Sequence, residues 1–277
     1  METTRLNELV KTSGKVRLGI IEATYQAGSG HPGGSLSCAD VLTYLYFNEL
    51  NVRPDEPSYE DRDRFVLSKG HAAPALYSVL AQRGFFPVEE LKSLRKIDSR
   101  LQGHPDMHKT PGVDISTGSL GIGLSNACGM AIAAKLQNKE YRVFAVTGDG
   151  EIQEGQIWEA AMFASHYKLD NLIVYVDANG LQIDGKTSDV MSVEPIDKRF
   201  EAFGWKVQRI NGHDFEEIEK ATENAKAVKG QPCAIICNTV KGKGVSFMED
   251  KAGWHGVAPK KDEYEQAVKE LTDAYGL

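Results

Sequence analysis

The sequence predicts an α/β fold with a mainly parallel central sheet flanked by helices, and three observations carry that prediction. The stretch Tyr141–Gly185 holds an apolar β-rich run (Arg142 to Thr147), then a helical pattern, then a second β-rich run (Leu172 to Asp177). In the helical part Ile157, Ala160, Ala161, Ala164 and Tyr167 recur at three- and four-residue spacing. A strand–helix–strand unit of this kind makes its strands parallel and puts both following loops on one edge of the sheet. Strands and helices also alternate on either side of the unit, with no internal repeat and no hinge-like linker. Finally, 277 residues with 41% hydrophobic and 26% charged side chains suffice for a substantial core, so a single domain is expected.

Taken in order, residues 3–27 read as a helix with apolar positions at Leu6, Leu9, Val10, Val16, Ile20 and Ile21. Gly28-Ser29-Gly30-His31-Pro32-Gly33-Gly34 reads as a loop that no helix passes through, with His31 exposed in it. Such a loop suits close approach to a ligand, or it is a long turn with an incidental His. A helix is expected from Cys38 to Leu50, then a polar connector, then a short buried strand, Arg64–Leu67. That strand runs into Ser68-Lys69-Gly70-His71, followed by helices at 74–83 and 88–96. His104 lies between Gly103 and Pro105, and a glycine-rich turn through Gly123 opens a helix from Leu124 to Leu136. The run Gly121–Gly129 is no dinucleotide fingerprint, because no strand precedes it and the glycine spacing is wrong. Beyond the central unit come a helix-like linker (194–203), a strand (205–210) and a helix over 214–226 with Asp214 as its N-cap. A strand over 234–240, the loop holding Trp254-His255-Gly256, and an amphipathic helix over 262–275 complete the chain.

The central unit brings Gly148-Asp149-Gly150 beside Asp177-Ala178-Asn179-Gly180. A carboxylate, a carboxamide oxygen and open backbone are hard oxygen donors that suit Mg²⁺ or Ca²⁺, with phosphate and water completing the shell. The glycines let backbone approach a phosphate, and the following helix turns its amino end toward an anion. An isolated Gly-Asp-Gly is as readily an ordinary loop in which Asp149 caps a helix. The matching Asn-Gly at the neighbouring strand end is what favours a site.

Four of the seven histidines (His31, His71, His104, His255) sit in glycine- or proline-rich loops, two of them past strand ends, where open parallel sheets bind ligands. Imidazoles near a bound phosphate can donate hydrogen bonds and move protons near neutral pH. A zinc cluster is the competing reading, against which stands the absence of HxxxH spacing or a supporting Cys pattern. His108, His166 and His213 lack this context and read as surface or packing residues. Cys233 and Cys237 fall on one strand face as buried thiols. A net charge of −7 without a basic stripe argues against nucleic acid and anionic membranes as partners. With no 18-residue apolar run and no signal-like amino terminus, a cytoplasmic location is expected.

The stretch GDGEIQEGQIWEA…DANGLQIDG resembles the diphosphate-binding motif of thiamine diphosphate enzymes, and the transketolase family in particular. SGHPGGSLSCADVL, LSKGHAAPALY, GHPD, STGSLGIGLS and GWHG stand in that family's order, so the resemblance covers nearly the whole chain. It implies the thiamine diphosphate-binding fold, with thiamine diphosphate and Mg²⁺ as cofactors (Ca²⁺ or Mn²⁺ substituting). The side chains of Asp149 and Asn179 and the Leu181 carbonyl would hold the metal, and Gly150 and Asn179 would lie against the diphosphate. His71 and His255 would reach the diphosphate, and His255 would also face substrate. His31 and His104 would contact the sugar and assist proton transfer, and Gly118, Ser119 and Leu120 would line the cofactor. Ser119 departs from the proline common in full-length relatives. Glu154 and Glu159 match acidic residues at the subunit interface that link paired cofactors.

The same resemblance implies transfer of a two-carbon ketol unit from a ketose phosphate to an aldose phosphate. It also implies a second, pyrimidine-binding domain bearing an activating Glu, and then a third domain. The chain ends about where the first domain would, so residues 1–277 are expected to be the diphosphate-binding subunit of a split enzyme. The expected partner is a C-terminal transketolase subunit in an α2β2 assembly, and the chain alone would be inert. A 1-deoxyxylulose-phosphate synthase-like or 2-oxo-acid dehydrogenase-like subunit, or a non-catalytic module keeping the motif, are the competing functions.

Overall fold

The computed structural model describes residues 1–277. Its helices are α1 (Thr3–Ala27), α2 (Pro32–Ser37), α3 (Ala39–Tyr44), α4 (Ala73–Arg83), α5 (Ile122–Leu136), α6 (Gly155–His166), α7 (Thr187–Val190), α8 (Ile196–Ala202), α9 (Phe215–Ala227) and α10 (Lys261–Tyr275). Its strands are β1 (Arg64–Leu67), β2 (Val143–Gly148), β3 (Leu172–Ala178), β4 (Leu181–Gln182), β5 (Gly185–Lys186), β6 (Lys206–Asn211) and β7 (Cys233–Asn238). Five of them form one sheet in the order β1-β2-β3-β7-β6, every neighbouring pair parallel. The strands β4 and β5 make a small antiparallel hairpin after β3.

Period-two alternation sorts each strand's side chains onto two cores. Phe144, Val146, Ile173, Tyr175, Cys233, Ile235 and Cys237 join the core against α1, α3, α4, α9 and α10. Val143, Ala145, Leu172, Val174, Val176, Ala234 and Ile236 join the core beneath α5, α6 and α8. Cys233 and Cys237 thus share a face, buried and unpaired, as their spacing predicts. Asp214 caps α9, its carboxylate accepting from the backbone amides of Glu216 and Glu217. No helix is long and apolar enough to cross a membrane.

Register aligns the carboxyl ends of the inner strands. Gly148 of β2 stands opposite Asp177 of β3, which in turn stands opposite Cys237 of β7. The loops after β1, β2, β3 and β7 therefore open on one edge, as the central unit requires.

Three local expectations fail. The glycine loop does not run to Gly34: α2 begins at Pro32, a first-turn position where the missing amide costs nothing and φ is already helical. Gly33 is there for contact, because a Cβ on it would stand 2.7 Å from the Trp254 carbonyl oxygen. The helix expected over 38–50 is divided: α3 ends at Tyr44 and a π-helical turn spans Leu45–Glu49. Residues Val88–Ser93 form a 3₁₀ helix rather than α-helix to residue 96. Arg95 and Asp98 take left-handed conformations at φ of 60° and 64°, turning the chain so that the Arg95 amide meets the Leu101 carbonyl.

Candidate functional site

At the carboxyl edge of the sheet lies a cavity of about 290 Å³. Gly34 of α2, Lys69 and His71 after β1, Asp149 and Gly150 after β2, Asn179 and Leu181 after β3, and Lys241 and His255 after β7 all line it. Leu120 and Glu154 complete its rim. Six segments thus converge on one space, four of them the loops that parallel register brings to this edge.

Asp149 is buried, its two oxygens accepting from the Gly150 amide at 2.8 Å and the Gly180 amide at 2.6 Å. Burial, with the nearby Asp177 charge, pushes its carboxyl up to about 6 despite those bonds. Asn179 accepts from the Leu181 amide at 3.1 Å and donates to Asp177 at 3.2 Å, which aims its carboxamide. The Leu181 carbonyl is met at 3.3 Å by the Lys241 ammonium. A carboxylate, a carboxamide and a carbonyl oxygen therefore face one space, and a cation already stands at the last of them. That donor set is hard and fits Mg²⁺ better than zinc.

Two buried lysines dominate the electrostatics, and neither stood out in the sequence. Lys69 donates to the Gly34 carbonyl at 2.7 Å and pairs with Asp177, both side chains 2% exposed. Burial works against its charge, but the Asp177 carboxylate outweighs it and holds the ammonium above its usual range. Asp177 also accepts from Ser37 and Thr239, each at 2.5 Å; burial pushes its carboxyl up, but the Lys69 charge first, and then these bonds, keep it below the ordinary carboxylate range. Lys241 has no carboxylate partner; it meets the Leu181 carbonyl and, at 2.8 Å, His255 Nδ1. Burial, with repulsion from Lys69, pulls it down to about 8. Lys241 is thus a buried cation without a salt bridge, a partner that an anionic guest can supply.

The imidazoles of His31, His71 and His255 cluster, their ring centres 5.1 to 5.4 Å apart. Burial, and then the neighbouring cations, push His31 to about 4, His255 to about 3 and His71 well below the usual value. All three are neutral near pH 7 and can accept or donate without adding charge. His31 Nδ1 is buried without a hydrogen-bond partner, an atom prepared for a guest. His104 stands further out, largely exposed, its ring 3.2 Å from where a Cβ on Gly118 would lie. Gly118 and the exposed Ser119 flank the mouth rather than line the cavity. Glu154 is exposed at the cavity rim just before α6, and Glu159 is exposed within α6 outside the cavity. His108 and His166 are exposed, and His213 packs against Asp40.

Sequence reading also missed Glu151. This buried carboxylate accepts from Ser68 Oγ at 2.5 Å and from the Gly121 and Gly148 amides at 3.0 Å, tying three site loops together. Its place one residue beyond Gly-Asp-Gly was the available signal.

A family model described as "Transketolase, thiamine diphosphate binding domain" matches residues 9–276. The chain is 47% identical over 251 residues to a 6-deoxy-6-sulfo-D-fructose transketolase subunit of Clostridium sp. (strain MSTE9), covering 91% of each. It is 46% identical to an apulose-4-phosphate transketolase subunit of Phocaeicola vulgatus, covering 94% of this chain and 92% of that one. Among solved structures, Campylobacter jejuni transketolase superposes with a TM-score of 0.89 at 37% identity, over 100% of this chain but 43% of the larger one. The chain belongs to the transketolase family, as its N-terminal thiamine diphosphate-binding domain.

Proposed function

We propose that this chain is the diphosphate-binding subunit of a two-chain transketolase, moving a two-carbon ketol unit from a ketose phosphate to an aldose phosphate. The observation that carries the reading is one cavity lined by Asp149, Asn179, Leu181 and Lys241, the lysine lacking a salt bridge and meeting the Leu181 carbonyl. Relatives named as separate transketolase subunits, matched along more than nine-tenths of both chains, support the two-chain form.

In this reading Asp149, Asn179 and the Leu181 carbonyl hold Mg²⁺, and Lys241, His71, His255 and the backbone of Gly150 bind the diphosphate. Bound thiamine diphosphate supplies the carbanion stabilisation that the chain itself lacks. Gly118, Ser119 and Leu120 flank it. His31 and His104 orient the sugar's hydroxyl and carbonyl groups and carry protons, a task that suits neutral imidazoles. His255 bridges the two regions, close to both Lys241 and His31.

The partner, a second chain, brings the pyrimidine-binding domain and its activating Glu. Self-association of the present chain into an α2β2 assembly would cover α5 and α6, which pack together and leave Ile122, Leu136, Met162, Phe163 and Tyr167 exposed. Glu154 and Glu159 lie on that side.

The test is a transketolase assay with thiamine diphosphate, Mg²⁺, xylulose 5-phosphate and ribose 5-phosphate. It is run on this chain alone and with the product of a neighbouring reading frame, with 6-deoxy-6-sulfofructose and apulose 4-phosphate as further substrates. Activity only in the mixture is expected. Activity of the chain alone would overturn the two-chain form, and turnover of pyruvate but no sugar would replace the reaction.

A further inference from the structure

A second buried charged cluster lies behind the cavity, and none of its members lines it. Arg17 of α1, fully buried, grips the carboxylate of Asp40 with two hydrogen bonds of 2.8 and 2.6 Å. The other oxygen contact of Asp40 is His213 Nδ1 at 2.7 Å, and His213 Nε2 lies 2.9 Å from the backbone amide of Val240. A backbone amide only donates, so Nε2 is unprotonated and Nδ1 carries the proton that goes to Asp40. Arg17 Nε meanwhile donates to the Lys243 carbonyl at 3.2 Å.

The two grips fall on either side of Lys241 and Gly242. His213 holds Val240 and Arg17 holds Lys243, and between them Lys241 sends its side chain into the cavity. A four-residue turn fixed at both ends has little freedom to rotate the side chain it carries, which is how positioning residues act on a binding group without touching its ligand. We infer that His213, oriented by Asp40 and Arg17, is a positioning residue that holds the Lys241 ammonium at the diphosphate site. This rests on the cavity being the diphosphate site proposed above.

The test measures the placement of Lys241 directly. The chain is treated with acetic anhydride, and the acetylation rates of Lys241, Lys69 and the exposed Lys261 are followed by peptide mass spectrometry. His213→Asn keeps a donor toward Asp40 but cannot reach Val240, whereas His213→Gln carries an acceptor that can. Lys241 should label about ten-fold faster in His213→Asn, the change one lost hydrogen bond makes in a local opening equilibrium. Lys69, buried nearby, should keep its rate, and His213→Gln should return Lys241 toward the original rate. Unchanged labelling of Lys241 in His213→Asn, or equal acceleration of Lys69 and Lys241, would overturn the inference, the latter by showing general loosening. Should His213→Asn not fold, nitrogen NMR of the unmodified chain decides, since Nδ1 must be protonated and Nε2 bare; the reverse tautomer overturns it. Protection of Lys241 by Mg²⁺ with inorganic pyrophosphate is measured in parallel. If protection fails while the variants behave as stated, the diphosphate reading fails and the loop assignment stands.

Discussion

Removing either member of the Lys69–Asp177 pair should destabilise the chain, and by unequal amounts. Breaking a buried pair on one side costs about 3–5 kcal/mol, because the remaining charge is left without a partner. The two remnants differ. In Lys69→Met the Asp177 carboxylate keeps donors from Ser37, Thr239 and Asn179, so the loss should lie near the bottom, about 3 kcal/mol. In Asp177→Asn the new amide nitrogen cannot face Ser37, Asn179 and Lys69, which all donate to Oδ2. It must turn toward the Thr239 hydroxyl, leaving the Lys69 ammonium with neutral oxygens only, so about 5 kcal/mol is expected. At about 2 °C per kcal/mol for a chain of this size, the melting temperature should fall by about 6 °C in Lys69→Met and about 10 °C in Asp177→Asn. Calorimetry and urea unfolding of both single variants and the double variant measure this. The double variant should be less damaged than the sum of the two, since it leaves no orphaned charge. A shift below about 2 °C in both singles, or strict additivity, would refute a coupled buried pair.

Three further outcomes follow from the site. Asp149→Ala should abolish Mg²⁺-dependent retention of thiamine diphosphate, since it removes the only carboxylate of the proposed metal set; undiminished retention in equilibrium dialysis would sink that assignment. His31→Ala should spare cofactor binding and slow turnover of the assembled enzyme by about 10²–10⁴-fold, the range of a lost proton-transfer group. Unchanged turnover, or lost binding, would remove that role. Stability of the ligand-free chain should fall between pH 6.5 and about 4, read as the urea midpoint. His31, His71 and His255 have folded values below their ordinary 6.5, so the unfolded chain binds more protons across that window and acid favours it. His104, lowered by burial, adds a fourth imidazole, while Asp149, pushed up to about 6, and Glu151 and Asp114, also raised by burial, oppose in the lower part of the window. A flat midpoint would show that the imidazoles are not buried in neutral form.

The parts of the molecule legible in the sequence are those written in local pattern. Continuous apolar β-rich runs announce β2, β3 and β7, three-four spacing announces α6, and their crossover alone brings Asp149 near Asn179. The paired lysines were invisible for a physical reason. Lys69 and Lys241 sit in polar loop sequence like any solvated lysine, and only the register of β1, β3 and β7 turns them inward to meet Asp177 and Leu181. Asp177 itself read as the end of an apolar strand. The start of α2 was hidden because four glycines and a proline argue for a loop by propensity, whereas Trp254, more than two hundred residues away, sets the close packing that selects Gly33.

The strand order has a consequence for how the chain acquires its shape. β7 is the last strand of the sheet in sequence and yet lies between β3 and β6. While a ribosome delivers the chain, β1, β2 and β3 can pair as soon as residue 178 is free, but β3 then keeps an open edge until residues 233–238 arrive. At about 5–20 residues per second this interval lasts several seconds. An unpaired apolar strand edge is a template for the wrong neighbour. The half-made sheet is therefore the stage most exposed to aggregation and the one at which a chaperone would have something to hold. Lys241 follows that last strand directly, so the cavity cannot be complete before the sheet closes.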